Sequence, residues 1–322
     1  MKILVTGGAG FIGGNFIQFI LDKYPNYKII NIDKLTYAGE LTKHNGIVNK
    51  SNYKFIKEDI VNKESILALF NKEKFDYVVH FAAESHVDNS IRDSDVFVQT
   101  NVVGTHVLLE ASLLNNVQKF IHISTDEVYG DLDFDSEKLF TESTSLEPNS
   151  PYSASKASSD MLVRSYFKTY QLPIIITRCS NNYGPYQFPE KLIPKSILMA
   201  LRNQEIPIYG KGVNIRDWLY VTDHCTAIDL IMHKGSNGEV YNIGGNNEKS
   251  NIEVVKSILD YLGASHNLIS YVGDRKGHDK RYAVDSTKLK ELGWQPKYNF
   301  ESGLEQTIDW YLENKKWLEA LL

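Results

Sequence analysis

The chain opens with Met1-Lys2-Ile3-Leu4-Val5-Thr6-Gly7-Gly8-Ala9-Gly10-Phe11-Ile12-Gly13, an apolar run followed at once by spaced glycines. Gly8, Gly10 and Gly13 satisfy the pattern GxGxxG, and Gly7, Gly10 and Gly13 satisfy GxxGxxG. Such a turn requires glycine because the backbone must approach a pyrophosphate and the following helix must pack near the strand. Amide groups and the dipole at the helix N-terminus then stabilise the anion. The stretch therefore predicts a dinucleotide site.

An acidic residue at the end of the second apolar run indicates which dinucleotide binds. Asp33 follows Gly13 by 20 residues (33 − 13 = 20). A carboxylate at this spacing accepts hydrogen bonds from the ribose hydroxyls and repels a 2′-phosphate. The spacing predicts NAD rather than NADP as the cofactor, the alternative being an ordinary strand-ending aspartate.

Apolar runs of strand length alternate with helical segments through the first half of the chain. The runs cover residues 2–6, 28–33, 53–57, 76–82, 119–124 and 172–177, and the helical segments residues 11–24, 63–74, 95–116 and 152–170. Near-continuous apolar strands separated by helices imply a parallel sheet covered on both faces. Right-handed crossovers then give an α/β fold, a doubly wound parallel (Rossmann) sheet.

The texture of the sequence changes after about residue 178, where short loops rich in Pro, Asn and Gly separate smaller elements. Loops of this kind form binding sites more often than they form cores. We therefore expect an NAD-binding Rossmann domain at residues 1–180 and a smaller C-terminal substrate-binding domain at residues 181–322. A segment near residues 212–244 is expected to return to the Rossmann domain.

Composition excludes several classes of protein. With 35 Lys and Arg against 40 Asp and Glu, the formal charge of the 322-residue chain is -5, so a basic footprint for nucleic acid is absent. No apolar run approaches the roughly 18–20 residues of a membrane span. The two cysteines, Cys179 and Cys225, lack CxxC spacing, which fits a reducing cytoplasm. No His, Cys and Asp cluster has metal-ligand spacing, so we expect no metal.

A YxxxK pair indicates the chemistry. Tyr152 and Lys156 stand four residues apart near the start of a helical segment, and therefore on one face of it. The Lys156 ammonium is expected to lower the pKa of the Tyr152 phenol, making it a base for oxidation of a carbinol beside a nicotinamide. Thr125 ends the fifth strand, at the edge where ligands of open α/β sheets bind, and is expected to hydrogen-bond the reacting hydroxyl.

Together these motifs resemble the extended short-chain dehydrogenase/reductases that act on nucleotide sugars. Within that group, Ser124-Thr125-Asp126-Glu127-Val128-Tyr129-Gly130 resembles the signature of the dTDP-glucose 4,6-dehydratase family. Further stretches similar to that family cover residues 33–39, 82–90, 100–105, 178–185 and 214–218. The resemblance extends over nearly the whole chain.

The resemblance implies a reaction and a division of labour. Thr125, Tyr152 and Lys156 would oxidise C4 of dTDP-glucose, Glu127 would remove the C5 proton, and Asp126 would protonate the departing O6. The product would be dTDP-4-keto-6-deoxy-glucose, an intermediate of deoxysugar biosynthesis. The pathway expected first is that of dTDP-rhamnose. Adjacent carboxyls must differ in pKa to serve as base and acid.

The resemblance also assigns binding residues. Those expected at NAD are Gly7, Gly10, Phe11, Ile12, Gly13, Asp33, Lys34, Leu35, Thr36, Asp59, Ile60, Ala82, Ala83, Ser85, Thr100, Tyr152, Lys156 and Asn182. Those expected at the substrate are Ser85, Thr125, Asn181, Lys191, Leu192, Pro207, Ile208, Tyr209, Arg216, Asn251, Arg275 and His278. The helical segment at residues 95–116 carries more apolar residues than one sheet-facing stripe needs, and residues 152–170 are expected beside it. This excess of apolar surface predicts a homodimer.

Two alternatives remain, and the chain departs from the usual family pattern at three places, one of which is Asp93-Ser94-Asp95 in place of a Gly-Pro segment. Another enzyme of the same fold, such as a UDP-glucose 4-epimerase or a UDP-glucuronate decarboxylase, would share most of these motifs, although an epimerase has no use for Asp126 and Glu127. A non-catalytic NAD-sensing module would have no need of Tyr152 and Lys156. Lys276 stands where the family usually has proline, and the stretch between Gly130 and Tyr152 is shorter than in some relatives.

Overall fold

A computed structural model describes residues 1–321, with Lys43 described through its backbone only. Within this range the strands are β1 (Lys2–Thr6), β2 (Lys28–Asp33), β3 (Tyr53–Lys57), β4 (Tyr77–His80), β5 (Lys119–Thr125), β6 (Ile174–Cys179), β7 (Asn181–Tyr183), β8 (Ile206–Tyr209), β9 (Ile215–Tyr220), β10 (Val240–Ile243), β11 (Glu248–Ser250) and β12 (Ile269–Val272).

The α-helices are α1 (Phe11–Lys23), α2 (Lys63–Glu73), α3 (Val87–Arg92), α4 (Asp95–Phe97), α5 (Thr105–Leu114), α6 (Pro151–Tyr170), α7 (Leu192–Leu201), α8 (Val221–Lys234), α9 (Asn251–Leu262), α10 (Thr287–Glu291), α11 (Phe300–Glu313) and α12 (Lys315–Ala320). Short 3₁₀ turns lie at Thr42–His44, Asp126–Tyr129 and His266–Leu268, and a π-helical segment at Val98–Gly104 joins α4 to α5.

The large sheet is parallel throughout, with the strand order β10-β6-β5-β4-β1-β2-β3. Helices cover both faces of the sheet: α1 and α8 pack together on one side, while α2, α5 and α6 cover the other. The doubly wound Rossmann sheet expected from the sequence is confirmed. The order of strands reverses between β1 and β4, so the crevice for ligands opens at the carboxyl ends of these strands.

Three strand boundaries predicted from the apolar runs are wrong by two residues, and one of them is the end of β6, which lies at Cys179 and not at residue 177. The run 76–82 leaves the sheet after His80, because the chain bends so that the Ala82 amide meets the Thr6 hydroxyl at 3.2 Å. The run 172–177 begins its strand only at Ile174, since Pro173 has no amide to donate to a ladder.

Two small sheets lie outside the large one. The order β11-β9-β7 forms the first and the pair β12-β8 the second. A separate apolar core gathers around Tyr183, Trp218 and Phe300, packed by α7, α9 and α11.

The large sheet also takes up chain from beyond residue 180. Strand β10 pairs with β6, α8 packs on α1, and α10 packs on β10. We therefore propose the division into residues 1–180 and 181–322 with the segment near 212–244 returning to the first part, and we add α10 as a second return. Within residues 1–321, none of the helices has the length and apolar character to cross a membrane.

Candidate active site

The glycine turn between β1 and α1 forms a tight cradle. Gly7 has φ +71°, and a Cβ on it would lie 2.5 Å from the Ala82 amide nitrogen. A Cβ on Gly13 would lie 2.5 Å from the Gly7 carbonyl oxygen. Gly10 caps α1 without any side-chain hydrogen bond, and the first residues of the helix line the adjoining cavity. This cradle fits the pyrophosphate of a dinucleotide.

Asp33 holds the loop that follows β2. Its Oδ2 accepts from the Ala9 amide over 3.0 Å, and its Oδ1 accepts from the Leu35 amide over 2.8 Å. The Asp33 carboxyl also lines a cavity of about 300 Å³, here called the first cavity, at the carboxyl edge of the sheet. A carboxylate in this place fits the ribose of NAD.

The first cavity collects nearly all of the predicted cofactor residues. Of that set, all within the described part of the chain, Leu35 alone is missing from the cavity wall. Leu35 has φ +58° and contributes its amide to Asp33 instead. The five predicted catalytic residues share the same cavity: Thr125, Asp126, Glu127, Tyr152 and Lys156.

Tyr152 and Lys156 are positioned by the capped start of α6. Ser150 forms a capping box with Ser153, and Pro151 opens the helix. The Lys156 Nζ donates to the Ile123 carbonyl over 2.8 Å, which ties the helix to β5.

Burial is the largest influence on the pKa values of Tyr152 and Lys156. It raises the pKa of Tyr152 well above its usual value, Glu127 raises it further, and the hydrogen bond with Thr125 opposes both. Burial lowers the pKa of Lys156 to about 8. The leading influences on the Tyr152 pKa are thus burial and Glu127, and in the protein alone this pKa is raised, not lowered as the sequence analysis expects.

Asp126 and Glu127 lie on the 3₁₀ turn Asp126–Tyr129 directly after β5. Thr125 caps this turn by accepting from the Glu127 amide over 3.2 Å, and its hydroxyl donates to Asp126 Oδ1 over 3.3 Å. The turn ends at Gly130, where φ is +93° and a Cβ would lie 2.5 Å from the Glu147 carbonyl oxygen. These contacts fix both acids at the carboxyl edge of the sheet.

The two neighbouring acids have different surroundings. Asp126 is 2 % exposed, and its Oδ2 is buried without a hydrogen-bond partner. Burial, and then Glu127 and Asp217, raise its pKa well above the usual value. Burial also raises the pKa of Glu127, but Arg216, Arg275 and Lys191 oppose that rise. Asp126 therefore favours the protonated form, whereas Glu127 has three cations to stabilise its anion.

A second cavity of about 520 Å³ adjoins the first. It collects the remaining predicted substrate residues: Asn181, Lys191, Leu192, Pro207, Ile208, Tyr209, Arg216, Asn251, Arg275 and His278. Ser85 and Thr125 lie instead in the wall of the first cavity. The sequence analysis missed several other lining residues, among them His86, Asp88, Phe188, Glu190, Trp218 and Tyr282.

Arg216 and Arg275, together with Lys191 and Lys195, give the second cavity its positive charge. The Arg216 guanidinium lies 4.2 Å from the centroid of the Tyr282 ring and donates from Nη2 to the Asp279 carbonyl over 2.9 Å. Arg275 has a buried Nε without a partner, and its Nη1 stands 3.8 Å from Asp88 Oδ1. Guanidinium groups held in this way suit a diphosphate, which accepts several parallel hydrogen bonds.

The two cavities share one wall. The residues that line both are Glu127, Asn181, Asn182, Gln187, Phe188, Glu190 and Lys191. Tyr37, in the loop after Asp33, donates to Glu190 Oε1 over 3.2 Å and packs its ring edge against Phe188 at 5.5 Å. A ligand that fills both cavities would therefore pass Glu127 at their junction.

The segment after the acids is fastened by Arg281. Its guanidinium pairs with both carboxylate oxygens of Glu248, at 2.6 and 2.8 Å, and donates to the Ser136 carbonyl over 2.8 Å. Isolated bridges join Leu132 to Arg281 and Phe140 to Val284 on either side of this contact. The shorter stretch noted in the sequence is thus held at both ends, and Glu127 lies upstream of it.

Comparison with known proteins finds relatives over nearly the whole chain. Residues 4–307 match the family model described as GDP-mannose 4,6 dehydratase. The dTDP-glucose 4,6-dehydratase of Shigella flexneri is 51% identical over 99% of this chain and 95% of its own length.

Solved structures of the same enzyme superpose over the whole chain. The dTDP-glucose 4,6-dehydratase of Bacillus anthracis, crystallised in complex with NAD, has a TM-score of 0.93 and 52% identity, with 100% of both chains covered. DesIV of Streptomyces venezuelae, with NAD and TYD bound, has a TM-score of 0.96 and 46% identity, again with 100% of both chains covered. With its Rossmann sheet, its paired acids and these relatives, the chain belongs to the dTDP-glucose 4,6-dehydratase family.

Proposed function

We propose that the chain is an NAD-dependent hydro-lyase that converts dTDP-glucose to dTDP-4-keto-6-deoxy-glucose and water. The observation that carries this proposal is the pair Asp126 and Glu127, adjacent in the wall of one cavity with Tyr152 and yet in different electrostatic surroundings, since three cations oppose the rise of the pKa at Glu127. A simple epimerase, which only oxidises and reduces C4, requires neither acid.

Tyr152 and Lys156 serve the first step, oxidation at C4. Bound NAD supplies a hydride acceptor for C4 and later a hydride donor for C6. Tyr152 takes the proton of the C4 hydroxyl, and Thr125 hydrogen-bonds the same oxygen. Because burial opposes ionisation of Tyr152, the Lys156 charge is needed in its protonated form while the proton moves.

Glu127 and Asp126 serve the second step, loss of water across C5 and C6. Oxidation at C4 acidifies the C5 proton, which the Glu127 carboxylate removes. Asp126, protonated because it is buried, donates its proton to O6 as that group leaves. The cationic second cavity holds the diphosphate through Lys191, Arg216 and Arg275, close to Glu127.

The direct test is incubation of the purified protein with dTDP-, UDP-, GDP- and CDP-glucose, followed by identification of the products. We expect a 4-keto-6-deoxy sugar from dTDP-glucose above all. With deuterium at C4, the label should appear at C6 of the same molecule, and in heavy water C5 should gain deuterium. A galactose epimer as the product, or a C4 label lost to solvent, would refute the proposal.

We also propose a homodimer that buries the exposed apolar surface of α5, α6 and the π-helical segment. Val98, Val103, Leu114 and Met161 are 47%, 36%, 63% and 46% exposed, which is much apolar surface for one region of a monomer. A monomeric mass by sedimentation at micromolar concentration would contradict the dimer.

Two further assignments belong with the proposed function. A cytoplasmic location is supported by the free thiols of the buried Cys179 and Cys225. Use of the product in deoxysugar biosynthesis rests on the family resemblance, and the pathway to dTDP-rhamnose is the one that we expect. Detection of the enzyme in a fractionated cell lysate, and of rhamnose loss in a deletion strain, would test them.

A further inference from the structure

A buried polar chain behind the first cavity connects the two groups of catalytic residues. Asp160 follows Lys156 by one turn of α6 and lies on the same face of the helix. Arg178 on β6 donates from Nε to Asp160 Oδ2 over 2.9 Å. From the other end of its guanidinium, Nη1 donates to the Tyr129 hydroxyl over 3.0 Å. Tyr129 is the last residue of the turn that carries both acids.

The buried polar chain of side chains is closed to solvent and continues beyond Tyr129. Asp160, Arg178 and Tyr129 are 0%, 3% and 2% exposed. The Arg178 guanidinium lies 4.8 Å from the centroid of the Tyr129 ring, and the Tyr129 hydroxyl donates to Asn242 Oδ1 over 2.7 Å. A planar guanidinium with both ends engaged fixes its two partners relative to each other, which a single flexible ammonium does not.

The buried Asp160 carboxylate also needs a positive charge beside it, and Arg178 supplies that charge. His122 Nε2 stands 3.4 Å from Asp160 Oδ1, but burial, and then Lys156, lower the pKa of His122 to about 4. A neutral His122 leaves Arg178 as the cation that hydrogen-bonds the Asp160 carboxylate. The sheet register places Arg178 beside Ser124, one residue before Thr125, so the ion pair lies directly behind the catalytic edge.

We propose that the Asp160–Arg178–Tyr129 chain sets the position of the dehydrating acids relative to the oxidising pair Tyr152 and Lys156, which makes Tyr129 and Arg178 positioning residues for water loss. The inference rests on the proposed function, because one sugar ring must meet both pairs without release. Catalytic groups must be held within about 0.5 Å of their productive geometry, and the two pairs lie on different elements, α6 and the turn after β5. A rigid link between those elements supplies that precision.

Tyr129→Phe tests the link with little change of shape. The variant keeps the ring, its stacking on Phe140 at 5.0 Å and its contact with Arg178, and removes only the hydroxyl. In a single turnover we expect C4 oxidation, read from the absorbance of the reduced cofactor, within about twofold of wild type. C5 deuterium exchange and water loss should fall by about 10- to 100-fold, as a displacement of about 1 Å produces.

Two variants complete the experiment. Arg178→Lys retains the charge but cannot reach both partners, and it should show the same split between the two stages. Tyr53→Phe is the matched control, since it removes a buried hydroxyl that accepts from Asn31 Nδ2 over 3.0 Å on β3, outside both cavities. It should leave both stages unchanged, whatever its effect on the unfolding temperature.

The possible outcomes separate the two proposals. If wild type dehydrates dTDP-glucose but Tyr129→Phe slows both stages equally, or slows neither, the positioning role is wrong and the proposed function stands. If wild type forms no 4-keto-6-deoxy product, both proposals fall. Selective loss of the second stage in Tyr129→Phe, absent from Tyr53→Phe, supports the link.

Discussion

Lys156 donates a 2.8 Å hydrogen bond to the backbone carbonyl of Ile123, two residues before Thr125 on the same strand. The bond holds the ammonium below the catalytic edge of the sheet, where burial lowers its pKa to about 8 and Asp160, followed by Cys179, opposes that shift. Its protonation state therefore changes close to neutral pH.

A pH profile of C4 oxidation should report this proton. In the active pair Lys156 is protonated and Tyr152 is ionised, so the pair carries one proton fewer than its fully protonated form. The pair as a whole loses its first proton near the Lys156 pKa of about 8, and the fraction of the active form increases with pH up to that value. The single-turnover oxidation rate should therefore rise with pH to about 8 and then level off. Lys156→Met should lose this break. A wild-type rate that stays constant between about pH 6 and 9 would contradict the assignment.

Glu127→Gln should separate oxidation from dehydration. The amide keeps the shape of the side chain but cannot remove the C5 proton. C4 oxidation should persist, while C5 exchange and product formation fall by about 10²- to 10⁴-fold, the usual cost of one catalytic proton transfer. Single-turnover absorbance and mass spectrometry of the sugar in heavy water measure the two stages.

Two companion variants control the Glu127 experiment. Asp126→Asn should retain C5 exchange better than water loss, because the leaving O6 lacks its acid. Tyr152→Phe should block oxidation itself, so no reduced cofactor accumulates. Dehydration at the wild-type rate in Glu127→Gln would remove Glu127 from the mechanism.

Asp126→Asn should also stabilise the fold, increasingly so as pH rises. The folded pKa of Asp126 is raised above the unfolded value of 3.8, so the folded state holds a proton that the unfolded state releases above that pH. The stability contributed by this group is lost as pH rises from about 4 towards the folded pKa, with a slope of up to about 1.4 kcal/mol per pH unit.

Urea unfolding of wild type and Asp126→Asn at about pH 5, 6 and 7 measures this difference. The free energy of unfolding gained by the variant should grow with pH. Asp95→Asn, an exposed position at the start of α4, controls for the removal of one carboxyl group. A gain that does not vary with pH would show that Asp126 is ionised in the folded protein.

Asp33→Ala should weaken NAD binding by about 10- to 100-fold and relax the discrimination against NADP, because charge-assisted hydrogen bonds contribute about 1.5–3 kcal/mol. Asp33→Asn is the matched variant, as it removes the charge and keeps one acceptor oxygen, enough for either the Ala9 or the Leu35 amide but not for both. Titration calorimetry with both cofactors reads the effect. Unchanged NAD affinity in Asp33→Ala would make the ribose assignment wrong.

The Rossmann half could be read from local patterns, since buried parallel strands are continuous apolar runs and the glycine turn has its own spacing. The small sheets could not, because β7 and β11 have three residues each, too few for any periodicity. The π-helical segment Val98–Gly104 was also invisible, since its apolar spacing is that of the predicted helix at 95–116.

The candidate site follows the same division. Residues within recognisable motifs meet in the two cavities, whereas Phe188 and Glu190 come from a loop whose position depends on Tyr37 across the cleft. The pairing of Asp160 with Arg178 depends on sheet register. The sequence does show the four-residue spacing from Tyr152 to Lys156 to Asp160, which places Asp160 on the catalytic face of the helix. It does not show that Arg178 is the partner of Asp160.

The fastening of Arg281 to Glu248 has a consequence for protein engineering. Because bridges at Leu132 and Phe140 hold the chain on both sides, the length of the loop between them is decoupled from the acids upstream. The tip between Asp133 and Ser136 is exposed. An epitope or a fluorescent domain inserted between Phe134 and Asp135 is therefore expected to leave the geometry of the reaction unchanged.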